Sequence, residues 1–352
     1  MHLNPLKKLY ELKNTLKILL FNISLIGLSS CNDSKRKIEK IDFKTEYKLS
    51  SSIEDKVAKD TISWKYQISA SDYATKGDYK NALIQWDLAM GTSEKDFTKF
   101  QIDSANQKYL KVKATDYIIE QAKKNQLVII DEAHLNSSHR VFTKSLVQKL
   151  FDNGYINLGL EALGNGQYLD STLNIRKHPI LITGHYIQDP QLGDLVRTAL
   201  EIGYNDFAYE QTTYSNGKPR EMEQAKNIQK VIQNKPNEKY LIHCGFDHAL
   251  EGDYNSWEKA MAGRLTECSG INPLTINQVL YCEKSKPEFN HPLLKAFNII
   301  EPSVFIDKDN KPLKYELRES WTDIATLHSK TEYINDRSNW LFENEKKIFL
   351  SN

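Results

Sequence analysis

Between residues 126 and 281, short apolar runs alternate with stretches whose apolar residues recur at helical spacing. Residues 127–130, 155–160, 206–209 and 240–244 read as strands, and 273–281 as a further one. Apolar runs that do not alternate suit strands buried on both faces, as in a parallel sheet. Between them, Val141, Phe142, Leu146, Val147, Leu150 and Phe151 keep helical spacing until Asn153-Gly154 stops the helix. Asp189-Pro190 opens another helix in the cap-then-proline manner, and Gly203 ends it. Residues 221–234 and 256–267 supply two more. This alternation predicts an α/β domain over 126–285, a mainly parallel sheet covered by helices.

The flanks have a different texture. Over 64–125 the pattern is helical, and Ala70, Tyr73, Gly77, Tyr79, Ala82, Trp86 and Ala89 fall at the spacings of one tetratricopeptide-like hairpin. A solenoid needs about three such units to bury a continuous core. The hairpin is therefore expected either to cap the main domain or to bind a protein partner. A further helical stretch is expected over 97–124. In the C-terminal region, 286–352, residues 304–306 and 312–317 flank the turn 307–310 and predict a β-hairpin followed by a tail that docks through Trp321, Trp340 and Phe342.

The N-terminus reads as targeting. Lys7, Lys8, Lys13 and Lys17 precede an apolar run, 18–28, too short to span a bilayer comfortably. It ends Leu28-Ser29-Ser30-Cys31, similar to a bacterial lipoprotein cleavage box. The expectation is a signal peptide over 1–30, lipidation at Cys31, and a polar tether over 31–63 that holds the protein to the membrane in the bacterial cell envelope. Export leaves pairing of Cys268 with Cys282 open, and Cys244 within its apolar run reads as a buried hydrophobe. With 47 Lys and Arg against 46 Asp and Glu, no basic field draws in nucleic acid.

Candidate chemistry gathers where the strands end. The first strand runs into Asp131-Glu132-Ala133-His134. No G-x-x-x-x-G-K-[ST] phosphate loop accompanies it, so it is not an ATPase signature. The other strands end at Glu161, at Glu210, and at His243 followed by Gly245-Phe246-Asp247-His248. Ligands of open α/β sheets bind outside such carboxyl ends. Glu132 and His134, two apart on an extended chain, share a side. Asp131, His139, His185, Arg197, Glu210 and His243 are candidates for the surrounding shell. No G-x-S-x-G elbow is present. Histidines with carboxylates suit either a divalent metal that activates water or a histidine–carboxylate pair acting as base without one.

The pattern E-x-H-x4-H (Glu132, His134, His139), the strand ending Leu-Glu-Ala (Glu161) and G-x-x-H (Gly245, His248) resemble the superfamily of ChaN-like haem-uptake lipoproteins, erythromycin-esterase-like hydrolases and Tiki-type proteases. Asp131 stands where that superfamily often has glycine. The resemblance implies an α/β domain with its site at the strand ends. It does not fix one activity, because members include metal-dependent proteases, metal-free esterases and haem binders. The first expectation is a hydrolase acting on a small molecule or peptide, with Glu132, His134, Glu161 and His248 as the catalytic set, and a scaffold acting through the helical hairpin is a further alternative. Two versions of the site are compatible with it: a divalent metal on His134, His248 and Glu161, or haem carried in the same cleft without chemistry.

Overall fold

The computed structural model describes residues 47–335 and 337–343. The chain divides into two units, Met1–Tyr47 and Lys48–Asn352. The apolar run 18–28, Cys31 and the start of the polar segment lie outside the described residues.

Among the described residues three helices come first, α1 (Ser50–Lys59), α2 (Lys65–Thr75) and α3 (Tyr79–Met90). The expected tether therefore contains a helix. Ile53 is buried with Tyr73, Ala74 and Ala82, and Val57 packs against them; one apolar stripe at i, i+4 docks an otherwise polar helix. Helices α2 and α3 form the expected hairpin, turning at Gly77, whose φ of 83° favours glycine. It lies on the α/β body: Ala70 and Leu83 are buried with Ala133 and Leu135, and Asp87 accepts from the Ser285 amide at 2.8 Å.

Helix α4 (Lys99–Lys108) is followed by a departure from the helical reading, because Leu110–Lys113 is a strand, β1, before α5 (Ala114–Ala122). Leu-Lys-Val-Lys has the two-residue period of a strand, masked by helical texture on both sides. The chain continues as β2 (Leu127–Glu132), α6 (Ser137–Asp152), β3 (Tyr155–Leu160), α7 (Leu173–Arg176), α8 (Pro190–Ile202), β4 (Asn205–Ala208), α9 (Lys218–Asn234) and β5 (Lys239–Gly245). Then come β6 (Glu251–Gly252), α10 (Met261–Ser269), β7 (Leu274–Asn277), α11 (Pro292–Ala296), β8 (Ser303–Ile306), β9 (Tyr315–Leu317), β10 (Ser320–Thr322) and β11 (Ile324–Leu327).

Among the described residues the main sheet has eight strands in the order β1-β8-β11-β7-β2-β5-β3-β4. Every neighbouring pair from β11 to β4 is parallel; β8 is antiparallel to both β11 and β1. The fold is α/β with a mainly parallel sheet. Alternate residues of the central strands feed two apolar layers. Val128, Ile130, Leu158 and Leu160 pack with Leu146 of α6 and Leu195 of α8. On the other face Leu127, Ile129, Tyr240 and Ile242 meet Ile228 of α9 and Leu265 of α10.

The C-terminal hairpin is only partly as expected. Its turn forms, with the Leu313 amide donating to the Phe305 carbonyl at 2.7 Å. However, β8 inserts between β1 and β11, while β9 joins β10 and β6 in a separate three-stranded sheet. All four residues of β8 are buried, which requires neighbours on both edges and faces rather than one hairpin partner.

Candidate active site at the strand ends

Parallel register brings the predicted residues together. Glu132 at the end of β2 lies opposite Gly245 at the end of β5. Leu160 of β3 is level with His243, so Glu161 reaches Gly245 and accepts its amide at 2.5 Å.

On one side stands a histidine–carboxylate pair. Nδ1 of His134 lies 3.0 Å from Oε1 of Glu132. An ionised carboxylate can only accept, so Nδ1 carries a proton, and in a neutral ring Nε2 then keeps its lone pair. Burial of Glu132 opposes its charge, but Arg140 and then His243 outweigh this and hold the carboxyl well below the usual range. Arg140, from the first turn of α6, donates Nε and Nη2 to Glu132 at 2.7 and 2.6 Å. Its Nη1 lies 3.1 Å from Oδ2 of Asp189. That aspartate also caps α8, accepting from the Gln191 and Leu192 amides at 2.8 and 3.1 Å. The His134 ring is fixed by Tyr186, stacked at 4.2 Å, and by Phe246, edge-on at 5.1 Å. Gly245 is needed here because a β-carbon would collide with the His134 ring.

On the other side Arg220 is the centre. Its guanidinium donates to Glu161 at 2.6 Å and to both oxygens of Glu210. Its Nη1 lies 3.0 Å from Nε2 of His248, and Nδ1 of His248 lies 2.7 Å from Glu221. Burial disfavours a charged His248, but Glu161 and then Glu221 outweigh it and raise its proton affinity above the ordinary value. For Glu161, burial is more than offset by His248, His134 and Arg220, and its carboxyl is held at about 2. His248 stacks on Trp257 at 5.3 Å. Both halves border a cleft of about 1180 Å³, walled by Trp86 of the hairpin, Tyr186, Phe246, Trp257 and Tyr315.

The remaining predicted residues lie elsewhere. Adjacent residues of a strand point to opposite faces, so Asp131 turns away from Glu132, into a buried niche where Asn277 and the Gln278 amide donate to it at 2.5 and 2.7 Å. Burial there raises its pKa well above the usual value. His139 is buried inside α6, accepting from the Ala133 amide at 3.0 Å and facing His328 at 5.0 Å. His243 backs the site from within β5, with Nε2 at 3.4 Å from Glu132. His185 is an exposed residue, edge-on to Tyr186. Arg197 belongs to a different surface groove and pairs with Asp194 at 2.6 Å. Cys244, Cys268 and Cys282 are free thiols. Arg140, Asp189, Arg220 and Glu221 join this network, although the sequence reading assigned them no place in the site and marked Asp189 only as a helix cap.

The residues expected to hold a metal are already engaged. Arg220 and the Gly245 amide occupy the Glu161 oxygens, and Glu221 and Arg220 occupy the His248 nitrogens. Among the described residues no three His, Cys, Asp or Glu side chains converge to hold a metal ion. His134, His248 and Glu161 do not fit a metal centre in this arrangement. Nε2 of His134 makes no hydrogen bond among the described residues and lies beside Gly245, in a ring that borders the cleft.

No protein-family model and no curated protein matches the chain. Among solved structures it is similar to the type III effector HopBA1, at 12% identity over 64% of this chain and 98% of that one, with a TM-score of 0.39. It is also similar to RRSP, a MARTX toxin effector domain from Vibrio vulnificus CMCP6, at 17% identity over 56% and 44% of the two chains, with a TM-score of 0.33. The chain matches less than half the length of RRSP.

Proposed function

We propose that the cleft hydrolyses an ester or amide bond of a small-molecule or peptide substrate, with His134 as general base and no metal. The observation that carries this reading is the Glu132–His134 pair, whose Nδ1 is committed to a buried carboxylate at 3.0 Å while the ring borders the cleft. A water on Nε2 gives up its proton as its oxygen bonds to the substrate carbonyl carbon. The same proton then passes from the imidazolium to the leaving oxygen or nitrogen as that bond breaks. Glu132 stays ionised because Arg140 accompanies it, and it stabilises the imidazolium. Arg220, partly exposed to the cleft beside Glu161 and Glu210, is the donor that faces developing negative charge.

Haem binding is the competing reading, favoured by the aromatic walls and contesting the same Nε2 of His134. A panel of aryl, alkyl and peptide substrates, run beside a haem titration, tests both. Turnover that disappears in His134→Ala supports hydrolysis, whereas a Soret band lost in that variant with no turnover in either protein supports the carrier. Attachment to the envelope through Cys31 is proposed alongside, and fractionation tests it: Cys31→Ser should move the protein from membranes to the soluble fraction. Among the described residues no helix is long and apolar enough to cross a membrane.

A further inference from the structure

Phe246 is the one residue between the end of β5 and His248 whose backbone is left-handed, with φ of 41°. A bulky side chain there is strained, and such strain persists only where the surroundings impose it. Its ring is clamped between Trp86 of the helical hairpin, stacked at 5.2 Å and 18°, and His134, edge-on at 5.1 Å and 88°. All three rings border the cleft. Neither Trp86 nor Phe246 is fully buried, so part of each ring is open to the cleft beside His134.

We infer that Trp86 and Phe246 form a platform that binds a flat apolar ring of the ligand next to His134 Nε2, and that the helical hairpin is thereby a specificity element of the cleft. The inference deepens the hydrolase reading but rests on geometry that a carrier would share. A planar ring gains most from an offset stack on existing aromatic planes, and apolar walls exclude water from around the base. Three groups keep the His134 ring in one orientation: Glu132, Tyr186 and Phe246. The hairpin reaches it through Trp86 and Phe246. Glycine at 246 would accept the backbone without strain but would remove the ring; hence Phe246→Gly separates backbone from platform.

The test uses 2-naphthol as the probe, titrated by calorimetry into the wild-type protein and into Trp86→Ala, Trp86→Phe and Phe246→Gly, each checked by circular dichroism for folding. Binding is expected to weaken about tenfold or more in Trp86→Ala and Phe246→Gly, and to recover largely in Trp86→Phe. Equal binding by wild type and Trp86→Ala, or no binding by wild type, overturns the platform. Because the probe is not hydrolysed, loss of the hydrolase reading leaves this outcome readable, and the converse holds for turnover.

Discussion

Nη1 of Arg220 lies 3.0 Å from Nε2 of His248, and this single contact makes the two cleft histidines unequal. A guanidinium only donates, so when the His248 ring is neutral it occupies the Nε2 lone pair. In the other histidine the corresponding nitrogen is left for a ligand, because Glu132 takes Nδ1. On the proposed reading His134 moves a proton, while His248 holds Arg220 beside Glu161 and Glu210.

If Arg220 acts as a fork, lysine cannot replace it. One ammonium cannot span two carboxylates and an imidazole in a fixed plane. In Arg220→Lys, kcat/KM should fall by about tenfold to a hundredfold, in keeping with loss of a charge-assisted bidentate contact. The Glu161 carboxyl, held at about 2 in the wild type, should rise. Carbon-detected NMR titration of Glu161 reads this, and an unmoved carboxyl would argue that His248 and His134 suffice.

Glu132 should matter for stability as well as for chemistry. Arg140 is 1% exposed and divides itself between Glu132 and Asp189. Glu132→Ala strands part of a buried guanidinium and should cost about 3–5 kcal/mol in urea unfolding. His134→Ala, which removes a partly exposed ring, should cost about 1 kcal/mol or less. Equal losses in the two variants would contradict the assignment of Glu132 as the structural anchor of the pair.

Acid should loosen the packing around His139 and His328, which are buried with their rings 5.0 Å apart. Burial lowers the pKa of His328 from 6.5 to about 4 and that of His139 well below its usual value. Between those values the unfolded chain binds protons that the folded chain refuses, so stability falls as pH drops from 6.5 towards 4. His328→Phe should flatten that slope in urea midpoints measured across the window. An unchanged slope would place the acid sensitivity elsewhere.

Activity should be indifferent to chelators. The oxygens of Glu161 and the nitrogens of His248 are already engaged by Arg220, Gly245 and Glu221. Dialysis against EDTA is expected to leave kcat/KM within about twofold, and a loss restored by one divalent ion would overturn the metal-free arrangement.

Much of this was legible in the sequence because parallel strands announce themselves as apolar runs, and the residue after each run sits at the carboxyl end. Glu132, Glu161, Glu210 and the Gly245–His248 turn come together on that rule alone. The same alternation that pairs Glu132 with His134 also turns Asp131 to the far face, a consequence available from the sequence and not drawn from it. Arg220 and Glu221 were hidden because they sit near the start of α9, after an irregular loop with no period to fix their direction. Glu221 was visible only as the start of a helix. Arg140 follows His134 by six residues and was lost among charges expected on a helix surface, although its helix is buried on most sides. Strand β1 was missed because four residues of alternation cannot outweigh helical spacing on either side.

The most direct test of the central claim is the turnover of an aryl-ester panel by the wild-type protein and by His134→Ala at neutral pH. With His134 as base, the wild type turns over at least one ester, and the variant loses about 10²- to 10⁴-fold in kcat/KM while unfolding at a similar urea concentration. Equal rates in the two proteins, or no turnover by the wild type across the panel, would contradict it.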